Sequence, residues 1–272
     1  MVVQHNMQAV NTNRMLGQNV KAVAKNTEKL SSGYAVNRAA DDAAGLSISE
    51  KMRNQIRGLN QSVKNAEDGI SLIQTAEGNM NEIHSILQRM GELAIKARND
   101  VNASEDRQTI QDEIKQLKEE ICSITKKAEF NGTKLLNGNM AGSGKTLQVG
   151  ANQGEVMKIK ISGTSLAKLG LTDVEVTTGA KASIAIGKIQ SAIKNVSAQR
   201  SLLGAVQNRL EYTINNLDTT AENMTSANSR IRDTDMAKEM MNYTKMNVLT
   251  QAAQAMLAQA NQQPQAVLQL LQ

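Results

Sequence analysis

The sequence predicts a mainly α-helical fold of long coiled-coil or bundle helices, with a small β-hairpin region inserted between them. Three observations lead to this fold class. The chain of 272 residues contains one proline, so almost nothing obliges a long helix to break. Aromatic residues make up 1% of the chain, too few to fill a thick globular core. Apolar residues instead recur at alternating steps of four and three, which is the spacing of a helix-to-helix seam.

The first long helix is predicted between Asp41 and Arg98. Asp41 and Asp42 stand at its start, where acidic side chains favour a helix N-terminus. The four-three spacing is clearest in the early turns, and apolar positions continue to the end of the segment. The seam positions are Met52, Ile56, Leu59, Val63, Ala66, Ile70, Ile73, Met80, Leu87, Met90, Ala94 and Ala97.

Two further helices carry similar apolar spacing. One follows Ser104, which is the expected N-cap, and stops near the turn pair Asn131–Gly132. The other runs from about Ala180 to Thr234. Three amphipathic helices that share a seam are expected to form a bundle.

The segment between the second and third of these helices has a different pattern. Gly and Asn accumulate there, and Met157, Ile159 and Ile161 alternate with lysines, which is the two-residue period of a half-buried strand. Leu147–Val149 and Val174–Val176 are further strand candidates. The segment is therefore predicted to contain a small β-hairpin region.

The two ends of the chain are poor in charge. Arg14 is the only fixed charge before Lys21, and no charged side chain follows Lys245. A charge-free helix is poorly soluble alone, so we expect these ends to be buried on assembly, among other helices and copies of the same chain. A flexible polar tail is the alternative, because Gln and Ala also occur in disordered segments. The apolar residues expected to pack there are Val10, Leu16, Val20, Leu249, Met256, Ala260, Val267 and Leu270.

Two classes of partner are not expected. The net charge of +5 does not indicate nucleic acid, because basic residues alternate with Asp and Glu and no aromatic side chains are interleaved with them. No window approaches the ~18 apolar residues of a membrane span, and the N-terminus lacks the pattern of a conventional signal peptide. If the protein is exported, another route must carry it.

Candidates for catalysis or ligand binding are weak. Gly142–Thr146 resembles the end of a phosphate-binding loop, but Asn139 stands where that pattern requires Gly, and a strand is predicted to follow instead of a helix. A nucleotide-binding enzyme, the alternative of a different class, would require affinity at Lys145. His5 and His84 form no metal-binding spacing. We therefore predict a protein that is not an enzyme and uses no cofactor or metal.

Several longer segments resemble the terminal signatures of bacterial flagellins. On the N-terminal side they are Leu30–Gly33, Asn37–Leu46, Asp68–Gly78 and Phe130–Gly132, and on the C-terminal side Leu203–Leu210, Arg230–Ala237 and Gln259–Pro264. The resemblance covers residues 1–152 and 180–272, and the segments occur in the order of the family.

The resemblance implies a structural subunit that polymerises into the bacterial flagellar filament for swimming motility. Such a protein is secreted by flagellar type III export and is located in the extracellular filament. The resemblance also implies that the N- and C-terminal helices are paired. Its partners would be copies of itself, an export chaperone bound to the C-terminal helix, and the filament cap and hook-junction proteins. A hook–filament junction protein, which shares the flagellin ends, is the alternative.

The resemblance also implies a division of the chain. Residues 1–40 would form the N-terminal helix of an inner coiled-coil domain and its connecting spoke. The core domain would take its helices from residues 41–132 and its return helix from residues 181–235. Residues 133–180 would be a short variable insert, without the large outer domains of many flagellins, and residues 236–272 would complete the inner domain.

Flagellins are recognised by the vertebrate Toll-like receptor five, and the recognised motif resembles Leu87–Ala94. By motif position, the receptor-binding residues would be Arg89, Leu93 and Glu113, with Gln88 and Leu87 beside them. One position departs from the family, because Gly91 stands where a larger and often basic residue is usual. We expect binding through Arg89 to be retained but weakened.

Overall fold

The computed structural model of the chain describes residues 6–142 and 144–270. Within these ranges the helices are α1 (Met7–Ser32), α2 (Ala43–Arg98), α3 (Ser104–Lys127), α4 (Leu166–Leu169), α5 (Gly179–Arg232) and α6 (Met236–Leu270), and the strands are β1 (Glu129–Phe130), β2 (Thr133–Lys134), β3 (Lys145–Gln148) and β4 (Val156–Ile159). The predicted fold class, long helices with small antiparallel strand pairs, is confirmed.

The chain divides into two compact units. The central unit is Gln55–Ala221, and the terminal unit joins the residues up to Asn54 with those from Glu222 onward. Each unit includes part of α2 and part of α5. The five-part division expected from the resemblance remains a prediction.

The central unit has a continuous apolar core along its helices. The predicted seam of α2 supplies much of it, since Ala66, Ile73, Met80, Leu87, Met90, Ala94 and Ala97 are all fully buried. Helix α3 contributes Ile110, Ile114 and Ile121, and α5 contributes residues such as Ile189, Val196, Leu203 and Leu210. The four-three spacing of these sequences therefore does mark the buried face of each helix.

Two antiparallel strand pairs follow α3. Strands β1 and β2 are joined by Asn131 (φ 45°) and Gly132 (φ 72°), both in the left-handed region that a tight two-residue hairpin requires. Strand β3 pairs with β4 in the register Lys145 to Ile159. The prediction of a strand at Val174–Val176 was wrong, because this segment lies on the core in an irregular conformation and the Val176 N–H donates to Gln111 Oε1 at 2.7 Å.

The β3–β4 region packs closely on α2. The Asn65 side-chain amide donates to the backbone carbonyl of Gln148 at 3.0 Å. A Cβ at Gly58 would lie 2.9 Å from the Cβ of Ala151, and a Cβ at Gly69 would lie within 2.3 Å of a Leu147 methyl group. Glycine on this face of α2 is therefore what allows the close approach.

The terminal unit is built around the antiparallel pair α1 and α6. The Asn6 side-chain amide donates to the Ala260 carbonyl at 2.6 Å, and near the other end of the pair the Asn26 amide donates to Glu239 Oε1 at 3.0 Å. Helix α1 ends at Ser32, and Gly33 caps it with a φ of 75° and an N–H that donates to the Lys29 carbonyl. Pairing of the N- and C-terminal helices is confirmed.

Candidate assembly surface

Helices α1 and α6 expose the large apolar side chains predicted to take part in assembly. Val10, Val20, Leu249 and Met256 are exposed, whereas Leu16 is half-buried. Ala260 is buried where its carbonyl accepts the Asn6 bond. The side chains of Val267 and Leu270 lie outside the described residues. The exposed members of the set are therefore available to a second molecule.

Sequence reasoning missed six further apolar residues of this surface. Met7, Met15, Met236, Met240, Met241 and Val248 are all exposed. The sequence feature that could have identified them is the high methionine content of the charge-poor ends, since methionine is common at adaptable binding surfaces. Helix α1 has no buried residue, and its pairing with α6 leaves Met7, Val10, Met15 and Val20 exposed. We call the exposed apolar residues of α1 and α6 the terminal apolar surface.

Polar contacts hold the segment between α1 and α2. Asp41 accepts a 2.8 Å bond from Lys25 Nζ and further bonds from the backbone N–H groups of Arg38 and Asn37. These donors, the Lys25 ammonium first, lower the pKa of Asp41 to about 2. Asp42 caps α2 by accepting the Gly45 N–H at 2.9 Å, so the predicted helix-start role belongs to Asp42.

The segment between α5 and α6 is held against the segment after α1. The Ala35 N–H donates to the Arg232 carbonyl, and the Thr234 N–H donates to the Gly33 carbonyl. The Arg232 guanidinium lies 4.5 Å from the centre of the Tyr34 ring and bonds to Glu50 Oε1 at 3.0 Å. These contacts keep the start of α6 beside the end of α1.

The predicted receptor motif lies on α2 and α3 in the central unit, and only some of its residues are exposed. Gln88, Arg89 and Glu113 are exposed. Arg89 donates to Glu113 Oε1 at 2.9 and 3.1 Å, and Glu113 followed by Glu92 raises the pKa of Arg89 above its ordinary value. The exposed part of the motif is thus a charged pair between neighbouring helices.

Leu87 and Leu93 were expected beside Arg89 at this surface, and the structure corrects both. Leu87 is 0% exposed and Leu93 is 3% exposed, and both belong to the apolar core. A Cβ at Gly91 would make an ordinary 3.7 Å contact with Ile189, so an alanine side chain would fit between α2 and α5 at this position. The exposed residues of the motif are therefore polar, and receptor contact through them remains a prediction.

The sequence predicts no catalytic or metal site anywhere in the chain, and this remains a prediction. Within the residues that the structure describes, no three or more His, Cys, Asp or Glu side chains form a cluster that could hold a metal. Lys145, considered above as a nucleotide-binding residue, begins strand β3. Among the described helices, none is both long enough and apolar enough to cross a membrane. Ser143, in the middle of the phosphate-loop-like segment, lies outside the described residues.

Comparison with known proteins identifies the family. The family model of the bacterial flagellin N-terminal helical region matches residues 3–141, and that of the C-terminal helical region matches residues 186–271. The chain is 54% identical to a flagellin of Halalkalibacterium halodurans and 48% identical to a flagellin of Bacillus subtilis, with all of each chain covered. It is 46% identical, again with full coverage, to the flagellar filament 33 kDa core protein of Treponema phagedenis.

Solved structures agree with this grouping. The crystal structure of Bacillus cereus flagellin is 32% identical and superposes with a TM-score of 0.51 over 61% of this chain and 94% of that one. A protein described as flagellar hook-associated from Vibrio parahaemolyticus gives a TM-score of 0.60 over 71% of this chain and 100% of that one. Its identity is 13%, so it shows a shared fold alone. The chain belongs to the bacterial flagellin family, whose members form the extracellular flagellar filament.

Proposed function

We propose that this chain is a non-catalytic structural subunit that polymerises through α1 and α6 into the flagellar filament and serves swimming motility. The observation that carries the proposal is the terminal apolar surface, which stays exposed although α1 and α6 are already paired. Burying one Val, Leu or Met side chain is worth roughly 1.5–3 kcal/mol. A second copy that covers several of them gains enough to offset the entropy lost on association.

The low charge of the chain ends supports the same proposal. No charged side chain follows Lys245, so packing many copies of this segment together does not bring like charges into contact. In the paired part of α6, Glu239 is buried, and it accepts a bond from Asn26. Contacts between copies along the part of α6 after Lys245 can therefore be apolar and amide-based, without the cost of burying unpaired charges.

Seeded polymerisation tests the proposal. Purified chain is mixed with short filament fragments and imaged by electron microscopy, beside a copy lacking residues 237–272. The full chain is expected to elongate the seeds and the truncated chain is not. A full chain that stays monomeric under seeding would favour the hook–filament junction alternative.

A pair of point variants localises the interface. Met256→Lys places a charge on the terminal apolar surface and should block elongation, while the helix content of the monomer stays unchanged. Val101→Lys, at an exposed valine in the central unit, is the matched control and should elongate seeds like the parent. Equal loss in both variants would contradict assembly through the terminal helices.

We further propose export by the flagellar type III route, with a chaperone held on the C-terminal helix until assembly. Met236, Met240 and Met241 support this, because they are exposed on α6 and would need cover before polymerisation. The filament cap and the hook-junction proteins would contact the same ends during growth. Co-purification of the chaperone with the full chain, and its loss with the copy lacking residues 237–272, tests the first of these partners.

Recognition by Toll-like receptor five is proposed through Arg89, Glu113 and Gln88. Their exposure on adjacent helices and the bonds between Arg89 and Glu113 support this choice. Arg89→Ala should weaken binding of the purified chain to the receptor ectodomain. The matched control is Arg53→Ala, which removes another exposed arginine of α2 with a glutamate partner three residues away. Equal binding by Arg89→Ala and the parent would refute the assignment.

A further inference from the structure

The methionines of this chain fall into two groups according to exposure. Of the 13 methionines that the structure describes, six are exposed, and all six lie on α1 or α6: Met7, Met15, Met236, Met240, Met241 and Met256. Four lie in the core of the central unit: Met80, Met90, Met140 and Met157. The exposed fraction reaches 71% at Met7 and is 0% at Met80 and Met90. Met52, Met224 and Met246 are half-buried, and Met1 lies outside the described residues.

A thioether in solvent is open to two-electron oxidants, whereas a thioether in a packed core is shielded from them. Hydrogen peroxide transfers one oxygen atom to the sulfur: the S–O bond forms, the O–O bond of the peroxide breaks, and water leaves. The sulfur is oxidised and the peroxide is reduced. The product, methionine sulfoxide, is polar and disrupts apolar interfaces. Methionine sulfoxide reductases convert it back to methionine.

The surroundings of Met256 show why an oxidised monomer would resist assembly. Met256 lines a surface groove between α1 and α6 together with Gln8, Asn11, Gln259 and Gln263. In the free chain the exposed sulfoxide oxygen would accept hydrogen bonds from water. In an apolar contact with a second copy the same oxygen would lose this water, and burying a polar group without a partner is unfavourable.

We propose that the exposed methionines of α1 and α6 are oxidation sites at which peroxide-class oxidants block polymerisation of the free subunit. The proposal rests on the proposed function, because the sulfoxides act at the surface that a second copy must cover. It implies an order of events. Oxidation before assembly prevents elongation, whereas oxidation after assembly is slow, because neighbouring copies shield the same sulfur atoms.

The experiment uses the full chain in the seeded polymerisation described above. Monomer is treated with hydrogen peroxide, freed of excess oxidant and added to seeds, beside untreated monomer. We expect the monomer concentration needed for elongation to rise at least about tenfold, since each unpaired buried sulfoxide weakens the contact. Peptide mass spectrometry should locate the added oxygen at Met7, Met241 and Met256 before Met80 and Met90. Treatment with the two reductases that act on the two sulfoxide epimers should restore elongation.

Two variants separate these sites from the rest of the chain. The variant with all six exposed methionines replaced by leucine keeps their volume, and it should elongate seeds after peroxide treatment. The Met80→Leu/Met90→Leu variant should remain as sensitive as the parent. Both variants retain Cys122, so a block caused by thiol oxidation would appear in both.

Each outcome has one meaning. Untreated parent that fails to elongate seeds contradicts the proposed function itself. Parent that elongates equally well before and after oxidation of its exposed methionines overturns the inference, as does a peroxide block that persists in the six-leucine variant. Preformed filaments provide the last check, because Met7 and Met256 should be oxidised at least about tenfold more slowly there than in monomer, and equal rates would overturn the shielding.

Discussion

The central unit and the terminal unit are built from similar helices but bury their apolar residues differently. In the central unit, α2, α3 and α5 share one core in which many side chains are fully buried. In the terminal unit, α1 has no buried residue, and large apolar side chains of both α1 and α6 face solvent. The comparison teaches that the central unit has an apolar core supplied by its own helices, whereas the terminal unit exposes apolar side chains that the proposed assembly would cover.

The largest expected effect comes from a core leucine. Leu87→Ala removes a fully buried side chain from the central unit and should lower the free energy of unfolding by roughly 2–5 kcal/mol, because it loses burial and leaves a cavity. Guanidinium denaturation followed by circular dichroism measures this change. Met256→Ala is the comparison variant in the terminal unit and should change stability by less than about 0.5 kcal/mol.

This pair can also break the comparison. A Leu87→Ala chain as stable as the parent would mean that Leu87 is not part of the core, and the earlier expectation of a surface role would regain its basis. Strong destabilisation by Met256→Ala would mean that the terminal unit depends on its exposed side chains even without a second copy.

A smaller effect is expected where strands meet helix α2. Gly58→Ala would place a methyl group 2.9 Å from Ala151 Cβ. Gly78 lies on the same helix, and a methyl group added there would have no neighbouring atom within 4 Å. Both gain helix propensity, but only the first forces the loop away from α2. The Gly58 variant should therefore be less stable than the Gly78 variant by roughly 1–3 kcal/mol, measured by denaturant titration. Equal stabilities would show that the loop yields without cost.

The smallest effect is a pH dependence in the terminal unit. The folded state lowers the pKa of Asp41 from 3.8 to about 2, so the ionised carboxylate stabilises the fold above pH 3.8, and this contribution is lost as the pH falls towards 2. Asp41→Asn should melt at a lower temperature than the parent at pH 7, with the difference narrowing as the pH falls from about 4 to about 2.

The matched control for this prediction is Asp173→Asn, at a carboxylate in the central unit. Its melting temperature should follow that of the parent across the same range of pH. A difference between Asp41→Asn and the parent that stays constant from pH 7 to about pH 2 would mean that the charge of Asp41 contributes nothing, and that only its shape or polarity matters.

Much of the fold could be predicted because helix seams and tight turns are encoded locally. The spacing of apolar residues identified α2, α3 and α5, and Asn131–Gly132 identified the β1–β2 turn. The strand prediction at Val174–Val176 failed because alternation of apolar side chains also suits an irregular segment lying on a core. The four-residue helix α4 was missed, since so short a helix has too few positions to show a period.

One helix cap was also predicted wrongly. Ser104 was expected to cap α3, but it is the first helical residue, and the Ala103 N–H instead donates to Asp106 Oδ2.

The candidate site was less predictable than the fold. The charge-poor ends led to the expectation of burial on assembly, which remains a prediction, and most methionines of the terminal apolar surface were not singled out. Composition counts them without saying which face of a helix each one occupies.

The sequence by itself determined the helical class, the flagellin family and the low charge of the two ends, because each is a property of residue type and spacing along the chain. Only the tertiary structure decided which side of a motif faces solvent. Successive residues on a helix point about 100° apart, so a segment such as Leu87–Leu93 presents several faces. The packing of α3 and α5 decides that Arg89 is exposed while Leu87 and Leu93 are buried.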